Sequence, residues 1–130
     1  MTELLKGKVK TVYDVDGDAE KVTIVFHDKV TAWNGKHVEY PPEKGKVCCL
    51  ISALLFELME RNGIKTHYIG TKGLDTMWCK KLTIIPVEVI VRNIAAGSIV
   101  KNTNINEGVL INPPIVEYFL KDDAKDDPLL

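Results

Sequence analysis

From Pro86 to Arg92 the residues alternate, with Val87, Val89 and Val91 on one side of an extended chain and Glu88, Ile90 and Arg92 on the other, at about 3.3 Å per residue. The pattern predicts a strand with a valine face for a core and a face that carries charge. Pro86 has no amide hydrogen to give a sheet, so it marks the strand's first residue. Ala95, Ala96 and Gly97 then permit close backbone approach, and Ser98 is placed to N-cap a short helix of Ile99, Val100 and Lys101.

A different period runs through residues 47–62. Val47, Leu50, Ile51, Leu54, Leu55, Leu58 and Met59 recur at alternating steps of three and one, which is one stripe of a helix, and Gly63 supplies the stop. The stripe predicts a helix that packs on a sheet. Strands are expected at Leu4–Tyr13, broken by a turn at Gly7, at Val22–His27 with Val22, Ile24 and Phe26 on one face, after His67, and at Thr76–Leu82. Asp14–Asp18 with Gly17 reads as the turn of a hairpin. It is too short for a calcium loop and lacks the later glutamate. Asn34-Gly35 is a further turn signal, and Pro113-Pro114 is expected to open a strand through Val116–Leu120.

These elements describe an α+β chain: an antiparallel N-terminal sheet with one long packing helix in residues 1–82, and the beginning of a second lobe in 83–130. At 130 residues, 45% of them apolar and 27% charged, the chain suffices for a globular core. A formal charge of −1 provides no basic field for nucleic acid and no polybasic segment for a membrane surface. No apolar run reaches the roughly 20 residues of a spanning helix, and MTELLKGKVK has no apolar signal-peptide segment, which points to the cytoplasm. Cys48, Cys49 and Cys79 are too few and too oddly spaced for a disulfide framework. With His27, His37 and His67 they form no zinc pattern either, so they are expected as buried or incidental thiols and no metal ligand is assigned.

Candidate chemistry concentrates in three places. Arg92, Ser98 and the helix start behind Ser98 could together hold a phosphate or carboxylate. Lys8 and Lys10, pointing the same way beside Gly7, suit phosphate oxygens, although a solvated strand face fits them equally well. The tail YFLKDDAKDDPLL carries Asp122, Asp123, Asp126 and Asp127, which read as a solvated end on composition alone. His67 has no cysteine, serine or carboxylate at useful spacing and reads as structural.

The run Pro86-Val87-Glu88-Val89-Ile90-Val91-Arg92, followed by Ala96-Gly97-Ser98, resembles the signature of the SAICAR synthetase family, phosphoribosylaminoimidazole-succinocarboxamide synthases of purine biosynthesis. The resemblance implies a second lobe of ATP-grasp-like or kinase-like type, and a reaction that joins L-aspartate to carboxyaminoimidazole ribonucleotide (CAIR) with ATP. It implies that Gly7, Lys8 and Lys10 close over the ATP phosphates, that Arg92 and Ser98 hold the ribonucleotide, and that Lys121 and Asp127 border the reacting groups as catalytic residues. It also implies an adenine pocket lined by the link from Leu82 into the signature. The chain departs from the family where two asparagines are usual and Cys48 and Cys49 stand, which puts loop order around Gly45 in doubt. It departs again at Asn102, Asn104 and Asp122. Family members continue well past Asp127-Pro128, into a half that carries the Mg2+ ligands. The expectation is therefore an enzyme piece inactive by itself, as a homo-oligomer or with a complementary C-terminal half. The competing reading is a nucleotide-binding or association fragment without turnover.

Overall fold

A computed structural model describes residues 1–32, 37–122, 125 and 127–130. The Asn34-Gly35 turn and the carboxylates Asp123 and Asp126 lie outside the described residues. The chain divides into two compact units, Met1–Thr83 and Ile84–Leu130. Every described strand pairing is antiparallel. With two helices among the described elements, the class is α+β.

The N-terminal unit is built on a five-stranded sheet in the order β1-β2-β3-β7-β6. Its strands are β1 (Glu3–Lys6), β2 (Lys10–Val15), β3 (Asp18–Phe26), β6 (Tyr68–Thr71) and β7 (Thr76–Lys80), while β4 (Val30–Ala32) and β5 (His37–Glu39) form a separate ribbon. The β3–β7 register sets Val22 opposite Cys79 and Ile24 opposite Met77. One face of this pair therefore collects Val22, Ile24, Phe26, Met77 and Cys79. Helix α1 (Lys44–Arg61) covers that face, and Cys49, Ala53 and Tyr68 complete the core.

The face of α1 that docks is not the one expected. Its buried residues are the small ones, Gly45, Cys49 and Ala53, with Cys48 and Phe56 partly buried beside them. The whole apolar stripe points away from the sheet, with exposures from 38% at Met59 to 64% at Leu54. Backbone proximity explains the choice. A Cβ on Gly45 would lie 2.7 Å from the carbonyl oxygen of Phe26, so only glycine lets the first turn sit this close to β3.

The start of α1 is held without asparagines. Asp28 accepts hydrogen bonds from the Gly45 amide at 2.8 Å on one carboxylate oxygen and from the Glu43 amide at 3.1 Å on the other. A carboxylate at a helix N-terminus satisfies orphan donors and opposes the dipole. The loop around Gly45 is thus tied down by Asp28, and Cys49 serves the core, fully buried. At the other end Gly63, with φ 80, ends the helix where expected.

The C-terminal unit is a two-stranded ribbon of β8 (Val87–Ile94) and β9 (Leu110–Leu120), with the short α2 (Ser98–Asn102) between them. Here too the expected core face is outward: Val89 and Val91 are more than half exposed, and the buried residues are Ala95 and Ile99. Pro113 and Pro114 lie within β9 instead of opening it. Arg92 pairs with Ile115 and Ile94 with Leu110, so residues 111–114 bulge opposite Asn93, where the prolines' missing amides interrupt no ladder. The last residues return along β9, with the Leu120 amide donating to the Pro128 carbonyl at 2.9 Å and the Leu130 amide to the Tyr118 carbonyl at 2.8 Å. No described helix is long and apolar enough to cross a membrane.

Candidate functional site

In the C-terminal unit, the strand period places Glu88, Ile90 and Arg92 on one face of β8, with Phe119, Glu117 and Ile115 directly across on β9. This face carries the unit's polar network. Arg92 Nε donates to Glu117 Oε2, Nη1 donates to the Ala96 carbonyl at 2.8 Å, and Nη2 donates to Ser98 Oγ at 2.7 Å. Guanidinium and hydroxyl therefore meet at the bend. The Arg92 and Glu117 side chains are only 12% and 16% exposed, so the arginine's charge is matched inside the fold and three of its five N–H donors are engaged there.

Ser98 is not the N-cap of α2. Gly97 holds that position with φ 68, no side chain caps the helix, and Ser98 is its first residue. The physical reason is competition: the Ser98 oxygen accepts from a charged donor six residues back, a stronger bond than a capping amide offers. A hydroxyl that accepts in this way keeps one O–H to donate. Ser98 lines an open cavity of about 250 Å³ with Glu88, Ile90, Phe119 and Asp127.

Asp127 reaches this cavity from the returning tail, at a left-handed φ of 46. One carboxylate oxygen accepts from the Asp122 amide at 2.8 Å and the other pairs with Lys121 Nζ. The Lys121 amide in turn donates to the Pro86 carbonyl at 2.9 Å, so the lysine–aspartate pair is anchored at the start of the strand on which Glu88 and Ile90 stand. A cavity with one hydroxyl donor and two carboxylates favours a ligand's own donors, such as sugar hydroxyls or an ammonium group, over a bare phosphate at that spot.

In the N-terminal unit, Gly7, Lys8 and Lys10 surround the turn between β1 and β2. The Gly7 amide donates to the Lys10 carbonyl at 2.8 Å, and a Cβ at Gly7 would lie 3.2 Å from that oxygen. Lys8 lies in the bend and Lys10 opens β2, so the expected strand alternation covers only the second lysine. Lys10 Nζ sits 5.4 Å from the ring centre of Phe26. Just behind it, Thr11 is almost fully buried and shares a 2.7 Å hydrogen bond with His27 Nε2.

His67 packs edge-on against Phe56, ring centres 5.0 Å apart, and burial, with a smaller contribution from Lys10, pulls its pKa below the usual histidine value. Burial pushes the Cys79 thiol up to about 11 and raises that of Cys49, so both are inert core thiols. Sequence reading missed Glu117, Glu88, Phe119 and Asp28. Glu88 shares the period of Arg92 and was legible; Glu117 and Phe119 needed the β8–β9 register, which no local pattern carries.

The family model described as SAICAR synthetase matches residues 3–130. A phosphoribosylaminoimidazole-succinocarboxamide synthase of Sulfolobus acidocaldarius is 50% identical over 125 residues, covering 96% of this chain and 52% of the relative. One from Synechocystis is 45% identical over 130 residues, covering 100% of this chain and 49% of the relative. Among solved structures, a SAICAR synthetase (Type-2) in complex with ADP superposes with a TM-score of 0.91 at 37% identity, covering 98% of this chain and 54% of that one. A synthase of the same name from Ehrlichia chaffeensis gives 0.92 at 35% identity with the same coverage. The chain spans about half the length of the curated relatives it matches.

Proposed function

This chain belongs to the SAICAR synthetase family, and we propose that it contributes part of a cytoplasmic site that ligates L-aspartate to CAIR at the expense of ATP. The observation that carries the reading is the superposition on the ADP-bound relative along nearly the whole chain. The CAIR carboxylate oxygen attacks the γ-phosphorus of ATP and the bond to ADP breaks, leaving an acyl phosphate. The aspartate amine then attacks the acyl carbon, inorganic phosphate departs, and the nitrogen gives up a proton as the amide SAICAR forms.

In this reading Gly7 lets the β1–β2 turn close over the ATP phosphates while Lys8 and Lys10 offset their charge. Ser98 donates its hydroxyl to the ribonucleotide, and Arg92 orients Ser98 and matches Glu117. Lys121 and Asp127 border the reacting groups. The two units would be the phosphate-binding lobe and the start of a kinase-like or ATP-grasp-like substrate lobe. Mg2+ is the metal such chemistry calls for, but among the described residues no three His, Cys, Asp or Glu side chains converge to hold one. A second reading is a fragment that binds nucleotide or a partner without turnover.

The test is to assay SAICAR formation from CAIR, aspartate and ATP with the chain alone and with the C-terminal half of the Sulfolobus relative supplied. Product only on mixing, reduced at least about tenfold by Lys10→Ala, is the expected result. Turnover by the chain alone would refute the need for further residues, and ATP binding without product under both conditions would favour the second reading.

A further inference from the structure

Three consecutive residues at the end of β3 each reach a different part of the N-terminal unit. The Phe26 ring centre lies 5.4 Å from Lys10 Nζ, and the Phe26 carbonyl closes against Gly45 at the start of α1. His27 holds the β1–β2 turn twice: its amide donates to the Val9 carbonyl at 2.9 Å, and its Nε2 shares a 2.7 Å hydrogen bond with Thr11 Oγ. Asp28 accepts from the Gly45 and Glu43 amides. We propose that His27 is a positioning residue for the lysine turn: its imidazole, set against Thr11, fixes the backbone that presents Lys8 and Lys10 to a polyphosphate. The proposal rests on the reading that places the ATP phosphates at this turn, and His27 itself touches no substrate.

Two observations single out the imidazole. Thr11 is 1% exposed, so water does not reach its hydroxyl, and among the described residues its partner is the His27 ring. Leaving such a hydroxyl without a partner costs more than the bond itself contributes, which keeps the pair together. The turn, meanwhile, is thinly held from within. The Gly7 amide donates to the Lys10 carbonyl at 2.8 Å, but the described ladders resume only at Lys6 on one side and Lys10 on the other. Lys8 and Val9 lie between them, so the bend takes its outside support from His27, through the amide at Val9 and the ring at Thr11. A polyphosphate that meets a turn already fixed does not have to order it on binding.

Amide hydrogen exchange on the whole chain reads the turn directly. His27→Phe keeps a ring and removes its nitrogens, and the Gly7 amide should then exchange about tenfold faster. His27→Gln, whose amide can meet the Thr11 hydroxyl as donor or acceptor, should recover most of the protection. Adding Thr11→Val to His27→Phe removes the orphaned hydroxyl, so stability in urea should return close to the wild type while the Gly7 amide stays fast. A purely structural histidine would recover both together. With the C-terminal half of the Sulfolobus relative supplied, the KM for ATP should follow the Gly7 exchange, rising about tenfold in His27→Phe and in the double variant, with kcat within about twofold. An unchanged Gly7 rate in His27→Phe, no recovery in His27→Gln, or a double variant that regains stability and Gly7 protection together would each overturn the positioning role, whatever happens to ATP. Fast exchange with an unaltered KM for ATP would instead overturn the placement of the phosphates at this turn, on which the proposal rests.

Discussion

The two units keep their shape by different means. In the N-terminal unit seven residues from β3, α1, β6 and β7 form one apolar core, whereas the C-terminal unit buries only Ala95 and Ile99 among its described hydrophobic residues. The ribbon relies instead on charge: Arg92 ties Glu117, the Ala96 carbonyl and Ser98 together, and Asp127 ties Lys121 to the Asp122 amide. In the first unit a lost methylene should matter most. In the second, where the candidate cavity lies, a lost charge should.

The largest expected effect falls on the core. Met77 is 1% exposed, and Met77→Ala should cost about 2–5 kcal/mol in urea unfolding followed by hydrogen exchange of β3 and β7; an effect below about 1 kcal/mol would mean that this core is not the one holding the sheet. Next comes Arg92→Met, which leaves the largely buried Glu117 carboxylate without its partner. A loss of about 2–3 kcal/mol, read as faster amide exchange in β8 and β9 and none in β3, is expected after allowing for the partial exposure of the pair. Exchange that rises equally in both units would erase the contrast between them.

Asp28→Ala removes the carboxylate that accepts from the Glu43 and Gly45 amides and should cost about 1–2 kcal/mol, with exchange rising first in the opening turn of α1. The smallest effect concerns pH. His67 titrates lower in the folded chain because burial disfavours its charge. Its contribution is present above the unfolded value of about 6.5 and is lost as pH falls from there toward the lower folded value. His67→Gln should flatten that part of the stability profile, and an unaltered profile would show that the acid sensitivity has another source.

How much of this was legible beforehand differs by level. Strand and helix periods gave the positions of β3, β7, β8 and α1, and the glycine stop at Gly63 fell as expected. The meeting of Arg92 and Ser98 was readable too, because both lie within seven residues of one another on a strand and the bend that follows it. The partners of that arginine were not: Glu117 lies 25 residues away and arrives through a bulged register whose offset the prolines of β9 absorb.

Period alone, then, was enough to establish that α1 has an apolar stripe and that β8 has a valine face. Three-dimensional packing alone decided where those faces point. A hydrophobicity pattern records which side chains avoid water, but the distance between backbones decides which side of a helix can meet its own sheet. Here that side is Gly45, Cys49 and Ala53; at Gly45 only glycine permits the approach to the Phe26 carbonyl, and the leucines are turned outward.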